Sequence, residues 1–251
     1  MDYDKLLNLG VELGRRLMDS GAEIYRVEES VERLLRAYGL EPQVFAIPNC
    51  LFVSVTTPQG HPITRMCRIP AHGTDIEMLE RCNELCRRLC SEPAPVEEAA
   101  RMVEQLSGSR RFPPGVLLLG YAMTTSFFAL FFGGGAGDFF SAGLCGLAVG
   151  ACILFGQRLI GSNIFFCTVV HAALIAALAL LLVRAGVGRD LEAITIGTLM
   201  VLVPGRALTN AMREIMVGDI FSGLNRTAEV LLVATAIALG TAIPLVLGQY
   251  L

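Results

Sequence analysis

The chain has 251 residues, 53% of them hydrophobic and 17% charged, with a mean hydropathy of +0.58 and no tryptophan. A soluble globular protein carries about 25% charged residues, so a wholly soluble enzyme and a disordered chain are both excluded. The net charge of −3 offers no basic footprint for a polyanion, which excludes a nucleic-acid binder.

The charge is unevenly placed. Residues 1–111 hold 14 Lys/Arg and 17 Asp/Glu, whereas residues 112–251 hold six of each. The first part has the composition of a soluble domain and the second that of a membrane domain. At the amino terminus, acids precede the first lysine and no unbroken apolar core follows, so the segment is not read as a signal peptide. Leu6, Leu9, Leu13 and Leu17 recur at helical spacing, with Gly10 and Gly14 on or beside that stripe, where a second helix can approach. A second helix is expected from Ala22 to Ala37, its apolar face Ile24, Val27, Val31, Leu34 and Leu35, with Gly39 standing where a C-terminal stop belongs. Gln43–Ile47, Cys50–Thr57 and His61–Ile69 then read as three short antiparallel strands separated by Pro48-Asn49 and Pro58-Gln59-Gly60. Two more helices, Thr74–Cys90 and Val96–Leu106, complete a small α+β domain over residues 1–111.

Within that domain Glu23, Arg26 and Glu29 are spaced to share one helix side, so that Arg26 can bridge two carboxylates. The segment reads either as a solvated ladder or as a motif that docks on the mouth of the membrane half. Cys82, Cys86 and Cys90 share a helix face, but the spacing fits no common zinc or iron–sulfur pattern, so they read as core, and no metal or cofactor is implied. His61 and His72 flank turns and read as solvated. Eight cysteines without a secretory signal, five of them in the polar half, favour a reducing cytosolic location for this domain.

Arg110-Arg111-Phe112-Pro113-Pro114 marks the boundary, and residues 112–251 read as a polytopic α-helical membrane domain. Spans are expected at Val116–Phe132, Phe139–Phe155, Ile164–Val183 and Ala228–Leu247, each near the ~20 residues that cross a ~30 Å hydrocarbon core. A fourth segment in chain order, Leu191–Val203, is shorter; counted as a crossing, it makes five transmembrane helices. Gly146-xxx-Gly150 and Ala236-xxx-Gly240 mark helix contacts. Arg110, Arg111, Arg158, Arg213 and Arg226 on one side against Arg184 and Arg189 on the other favour a multi-pass protein of the cytoplasmic membrane, N-terminus inside and C-terminus outside.

Val203-Pro204-Gly205 should interrupt the short segment, because proline removes a backbone donor and glycine loosens the helix. A new half-helix would begin at Gly205 with Arg206, Thr209 and Asn210 in its first two turns, an arrangement suited to a carboxylate-bearing substrate. The alternative is a kinked structural helix. His171 is an ionisable group within a span and a second candidate for substrate contact, the alternative being a structural imidazole. Asp138, Glu214 and Asp219 are candidate proton-coupling carboxylates, or solvated interface charges. No phosphate-binding loop is present, so gradient-driven transport is expected rather than ATP hydrolysis. A membrane-anchored enzyme or a regulatory subunit, with its activity in residues 1–111, is the alternative reading.

The chain resembles the threonine/serine exporter family, in the form of an N-terminal half-module. The resemblance rests on Gly21-Ala22-Glu23-Ile24-Tyr25-Arg26-Val27-Glu28-Glu29, Tyr38-Gly39-Leu40, Thr64-Arg65 and Asn83-Glu84-Leu85 in the polar half. In the apolar half it rests on Gly133-Gly134-Gly135 with Asp138, and on Val203-Pro204-Gly205 through Leu208-Thr209-Asn210-Ala211. The resemblance implies an exporter of small amino or dicarboxylic acids, similar in its split form to a two-chain system for succinate. It also implies a second five-span membrane subunit on a separate chain, an inverted repeat formed between the two, and the option of a higher oligomer. Glu214 stands where aspartate is commoner in the family and Arg206 where an apolar residue is commoner; the extra cation could favour a second carboxylate on the substrate.

Overall fold

A computed structural model describes residues 2–70, 73–106, 112–156 and 163–248. His72, Arg110, Arg111 and Arg158 lie outside the described residues. The chain forms two units: Met1–Arg111 together with Thr209–Arg226, and Phe112–Leu208 together with Thr227–Leu251. The change of composition near Phe112 therefore coincides with a division between units, while residues 209–226, apolar-half in sequence, pack with the polar unit.

In the polar unit, α1 (Tyr3–Asp19) starts at Asp2, whose carboxylate caps the Lys5 N–H at 3.2 Å. Leu6, Leu9, Leu13 and Leu17 are buried against the stripe of α2 (Ile24–Ala37), namely Ile24, Val27, Val31, Leu34 and Leu35. A Cβ on Gly14 would stand 2.5 Å from a Leu51 methyl and 3.0 Å from a Val31 methyl, so the missing side chain is what lets α1 approach the other two elements. Helix α2 ends at Gly39, whose φ of 80° allows the Leu40 N–H to reach back to the Leu35 carbonyl at 3.1 Å.

Strands β1 (Pro42–Ile47), β2 (Cys50–Thr56) and β3 (Pro62–Arg68) form an antiparallel sheet in the order 1-2-3. Alternation along β2 sends Leu51, Val53 and Val55 into the core, while Phe52 on the other face stacks on Phe45 at 6.3 Å between ring centroids. Helices α3 (Ile76–Ser91) and α4 (Val96–Gln105) close the unit, with Cys82, Cys86, Leu89, Ala99 and Val103 in the same core. Cys90 is half-buried.

The second unit contains α5 (Pro114–Phe131), α6 (Ala136–Phe155), α7 (Ile164–Arg184), α8 (Leu191–Leu199) and the start of α9 (Gly205–Val217). It also holds residues 227–248 of α10, which as a whole runs Ile220–Gly248. Four described helices, α5, α6, α7 and α10, are long and apolar enough to cross a membrane. Five were expected. The difference lies in Leu191–Val203, where α8 is nine residues long and so reaches only ~13 Å at 1.5 Å per residue, too short to span alone. Helix α10 has 29 residues and starts eight residues before the expected Ala228, capped by Asp219, which accepts from the Ser222 N–H at 3.2 Å. Its first turns carry Asn225, Arg226 and Glu229, which hide that start from a hydropathy scan.

Small residues carry helix contacts in this unit. A Cβ on Gly150 would meet the Tyr121 ring of α5 at 2.7 Å, and one on Gly240 would meet the Ala172 methyl of α7 at the same distance. Between α5 and α6, Thr125 donates to the Ala142 carbonyl at 2.8 Å and Ser126 to that of Phe139 at 2.9 Å.

Candidate functional site

The segment Gly21–Glu29 meets the returning segment within the polar unit. Glu23 stands at the N-cap of α2, where its side chain is nearly buried and binds two guanidinium groups. One is Arg26, at 2.7 Å, one turn along α2; the other is Arg213 of α9. The expected bridge from Arg26 to Glu29 is replaced by an i,i+4 pair. Glu29 pairs with Arg33 at 2.5 Å, with the acid on the favourable N-terminal side of an i,i+4 pair.

Glu214 follows Arg213 and is fully buried. Its Oε1 accepts from the Ile24 N–H, the first of α2, at 3.4 Å, and lies 3.2 Å from Arg226 on α10. Its Oε2 has no hydrogen-bond partner among the described residues. Burial holds the Glu214 carboxyl above the usual carboxylate range, against the opposing pull of Arg226, and Asp219 nearby adds to the rise. Burial likewise raises Glu28, whose Oε1 accepts from the Ala46 N–H at 2.7 Å. The nearly buried carboxylates of Glu23 and Glu214 thus meet at the start of α2, each paired with guanidinium groups, of which Arg226 is largely buried while Arg26 and Arg213 reach solvent. Arg213 and Arg226 were read in the sequence only as loop charges. The signal available for them was the polar face of α9: Asn210, Ala211 and Glu214 are its buried residues, a spacing too polar for a lipid-facing stripe.

The helix stops earlier than the proline: α8 ends at Leu199, and Pro204 stands directly before the start of α9 at Gly205. After α8 the chain turns through Met200–Leu202, the Gly205 N–H bonds the Val203 carbonyl at 2.9 Å, and the first α9 bond runs from Leu208 N–H to the Pro204 carbonyl at 3.0 Å. Pro204 and Arg206 are half-buried, Gly205 and Thr209 exposed, and Asn210 buried. Helix α9 therefore presents its positive N-terminal end with a guanidinium, a hydroxyl and an amide in its first two turns. The division between units falls within these turns, after Leu208.

His171 lies on α7, buried, with Nε2 unpartnered among the described residues. Asp138, in the first turn of α6, is committed elsewhere. Its Oδ2 accepts from the Gly135 N–H at 2.8 Å, and its Oδ1 from the N–H groups of Arg189 and Asp190 at 2.7 and 2.9 Å. The carboxylate thereby ties the start of α6 to the loop between α7 and α8. Asp219 caps α10 in the polar unit.

Residues 8–248 match a family described as "Putative threonine/serine exporter". A Mycobacterium tuberculosis protein named "Probable threonine/serine exporter" is 24% identical over 96% of this chain and 46% of its own length. Proteins named pheromone-regulated membrane protein 10, from Debaryomyces hansenii and Candida albicans, are 25% and 26% identical over 83% and 84% of this chain, and over 21% and 20% of their own. The chain thus spans about half the length of the first relative and about a fifth of the others. No solved structure matches it.

Proposed function

Because the chain belongs to the threonine/serine exporter family, we propose that it is one part of a secondary exporter that moves small carboxylate-bearing solutes out across the cytoplasmic membrane. The cargo is threonine or serine, or a succinate-like dicarboxylate. The observation that carries this reading is the interrupted helix: α8 ends at Leu199 and, directly after Pro204, α9 begins at Gly205 with Arg206, Thr209 and Asn210 in its first two turns. A helix N-terminus with a guanidinium attracts a carboxylate, and broken helices are a recurrent substrate site in secondary transporters. Arg206 would bind the carboxylate and Thr209 and Asn210 would orient it. His171 would line the path from α7.

In this reading the fifth crossing lies within Leu191–Leu208, α8 and the turn that follows it, and the N-terminus faces the cytoplasm. A second membrane subunit supplies the other half of the transporter, which the doubled length of the Mycobacterium tuberculosis relative supports. Export is driven by the proton gradient. Of Asp138, Glu214 and Asp219, Glu214 is the proposed proton carrier, because it is buried with one oxygen unpartnered, whereas Asp138 already accepts three N–H groups.

Everted membrane vesicles containing the chain and its partner subunit test the proposal. Uptake of labelled threonine, serine or succinate that collapses on adding a protonophore is the expected result. No uptake of any of the three overturns it.

A further inference from the structure

A cavity on the α2–α3 side of the polar unit lies apart from the helix break and from Glu214, and shares only Arg26 with the Glu23 ion pairs. It has a volume of about 640 Å³ and is lined by Tyr25, Arg26, Glu29 and Arg33 of α2 and by Asn83 and Arg87 of α3. Its size falls in the range of small-molecule sites, about 300–1,000 Å³. Residues from two segments that carry the family resemblance, Gly21–Glu29 and Asn83–Leu85, meet here although they lie far apart in the chain.

The lining holds three guanidinium groups and one carboxylate. Two of the three cations are already engaged, Arg26 with Glu23 at 2.7 Å and Arg33 with Glu29 at 2.5 Å. Arg87 makes no ion pair or hydrogen bond among the described residues. Cys86 lies at the same wall, its thiol donating to the Ser30 carbonyl at 3.5 Å. Burial pushes that thiol up to about 12, while Arg33 and Arg87 both pull it back down. Guanidinium groups from two helices thus bear on one point, with neutral donors beside them in the Asn83 amide and the Tyr25 hydroxyl.

We propose that this cavity is a ligand site, separate from the helix break, for a small carboxylate anion, and that its excess of guanidinium favours a dicarboxylate over a zwitterionic amino acid. Arg87 takes one carboxylate in a forked pair, the geometry in which arginine binds that group best. Asn83 and Tyr25 hold the ligand's other end beside the Arg26 and Arg33 rim. The site gives the polar unit its own means of responding to a carboxylate, and it stands whether or not the chain exports one.

Titration calorimetry on the full chain in detergent, with succinate, threonine and inorganic phosphate as separate probes, tests the inference. Saturable succinate binding, tighter than that of threonine or phosphate, is expected. Arg87→Gln, an exposed helix-surface change, should weaken binding at the cavity by at least about tenfold, the loss of one charge-assisted pair. Succinate should also slow alkylation of Cys90, another lining residue, in the wild-type chain and not in Arg87→Gln. Absence of saturable succinate binding overturns the inference, as does protection of Cys90 by succinate that survives Arg87→Gln. Binding lost in Arg206→Gln and kept in Arg87→Gln assigns the anion to the helix break and overturns it equally.

Discussion

Glu23 and Arg213, 190 residues apart in the chain, form an ion pair that fastens α9 to the entrance of α2. Glu214, the next residue, reaches the neighbouring Ile24 N–H and Arg226. Residues 209–226 are covalently continuous at both ends with the membrane unit.

That grip is measurable as a coupling. In a double-mutant cycle of Glu23→Gln and Arg213→Gln, the two changes should be non-additive by about 1 kcal/mol, the upper range for a partly exposed pair. Heat-dependent alkylation of the buried Cys82 reports unfolding of the polar unit and serves as the readout. Additive effects would show that the pair contributes nothing.

Glu214 sets a pH dependence whose sign follows from its burial. Its folded carboxyl lies above the usual carboxylate range, so the folded state binds the proton more tightly than the unfolded chain. Its contribution is therefore most stabilising below the ordinary carboxylate pKa and is lost as pH rises through the raised folded value. Glu28 acts in the same direction. Glu214→Gln should flatten the fall in thermal stability above that ordinary value, leaving the smaller Glu28 share. An unchanged pH profile in the variant would remove Glu214 from the account.

Gly14 makes a tighter approach than Gly10 where α1 meets α2. Gly14→Ala forces its Cβ against Leu51 and Val31 and should cost about 1–3 kcal/mol, as overpacking does. Gly10→Ala meets only Leu35, at 3.1 Å or more, and should cost less. Equal unfolding temperatures for the two variants would contradict this packing.

Asp138→Asn tests the clamp on α6. The amide's one oxygen can still accept from Arg189 and Asp190, but its NH2 group would face the Gly135 N–H. A loss of roughly 1–3 kcal/mol is expected from one unsatisfied buried donor, read as a lower unfolding temperature in detergent. A variant with wild-type stability and no transport would instead make Asp138 a proton carrier.

The parts of this architecture that local chemistry dictates were legible in the residues. The leucine stripe of α1, the Gly39 stop and the proline-separated strands lie close to their expected positions, because periodicity and turn residues act over a few positions. Pro204 announced the break for the same reason. The membership of residues 209–226 in the polar unit was not legible, since it depends on Glu23–Arg213 and on the Ile24 amide reaching Glu214, partners separated by most of the chain. Hydropathy counted Leu191–Val203 as a crossing because it measures composition and not the continuity of a helix. The Tyr25–Arg26–Glu29 motif and Asn83 were each visible, but only the packing of α2 on α3 brings them to one cavity.

The central claim is that α9, starting after Pro204, carries the cargo site of an exporter. Its most direct test is efflux of threonine, serine and succinate from cells producing the chain with its partner subunit, wild type against Arg206→Gln at matched membrane abundance. The account predicts efflux of at least one solute in the wild type and its loss in Arg206→Gln. Undiminished efflux from Arg206→Gln would contradict it.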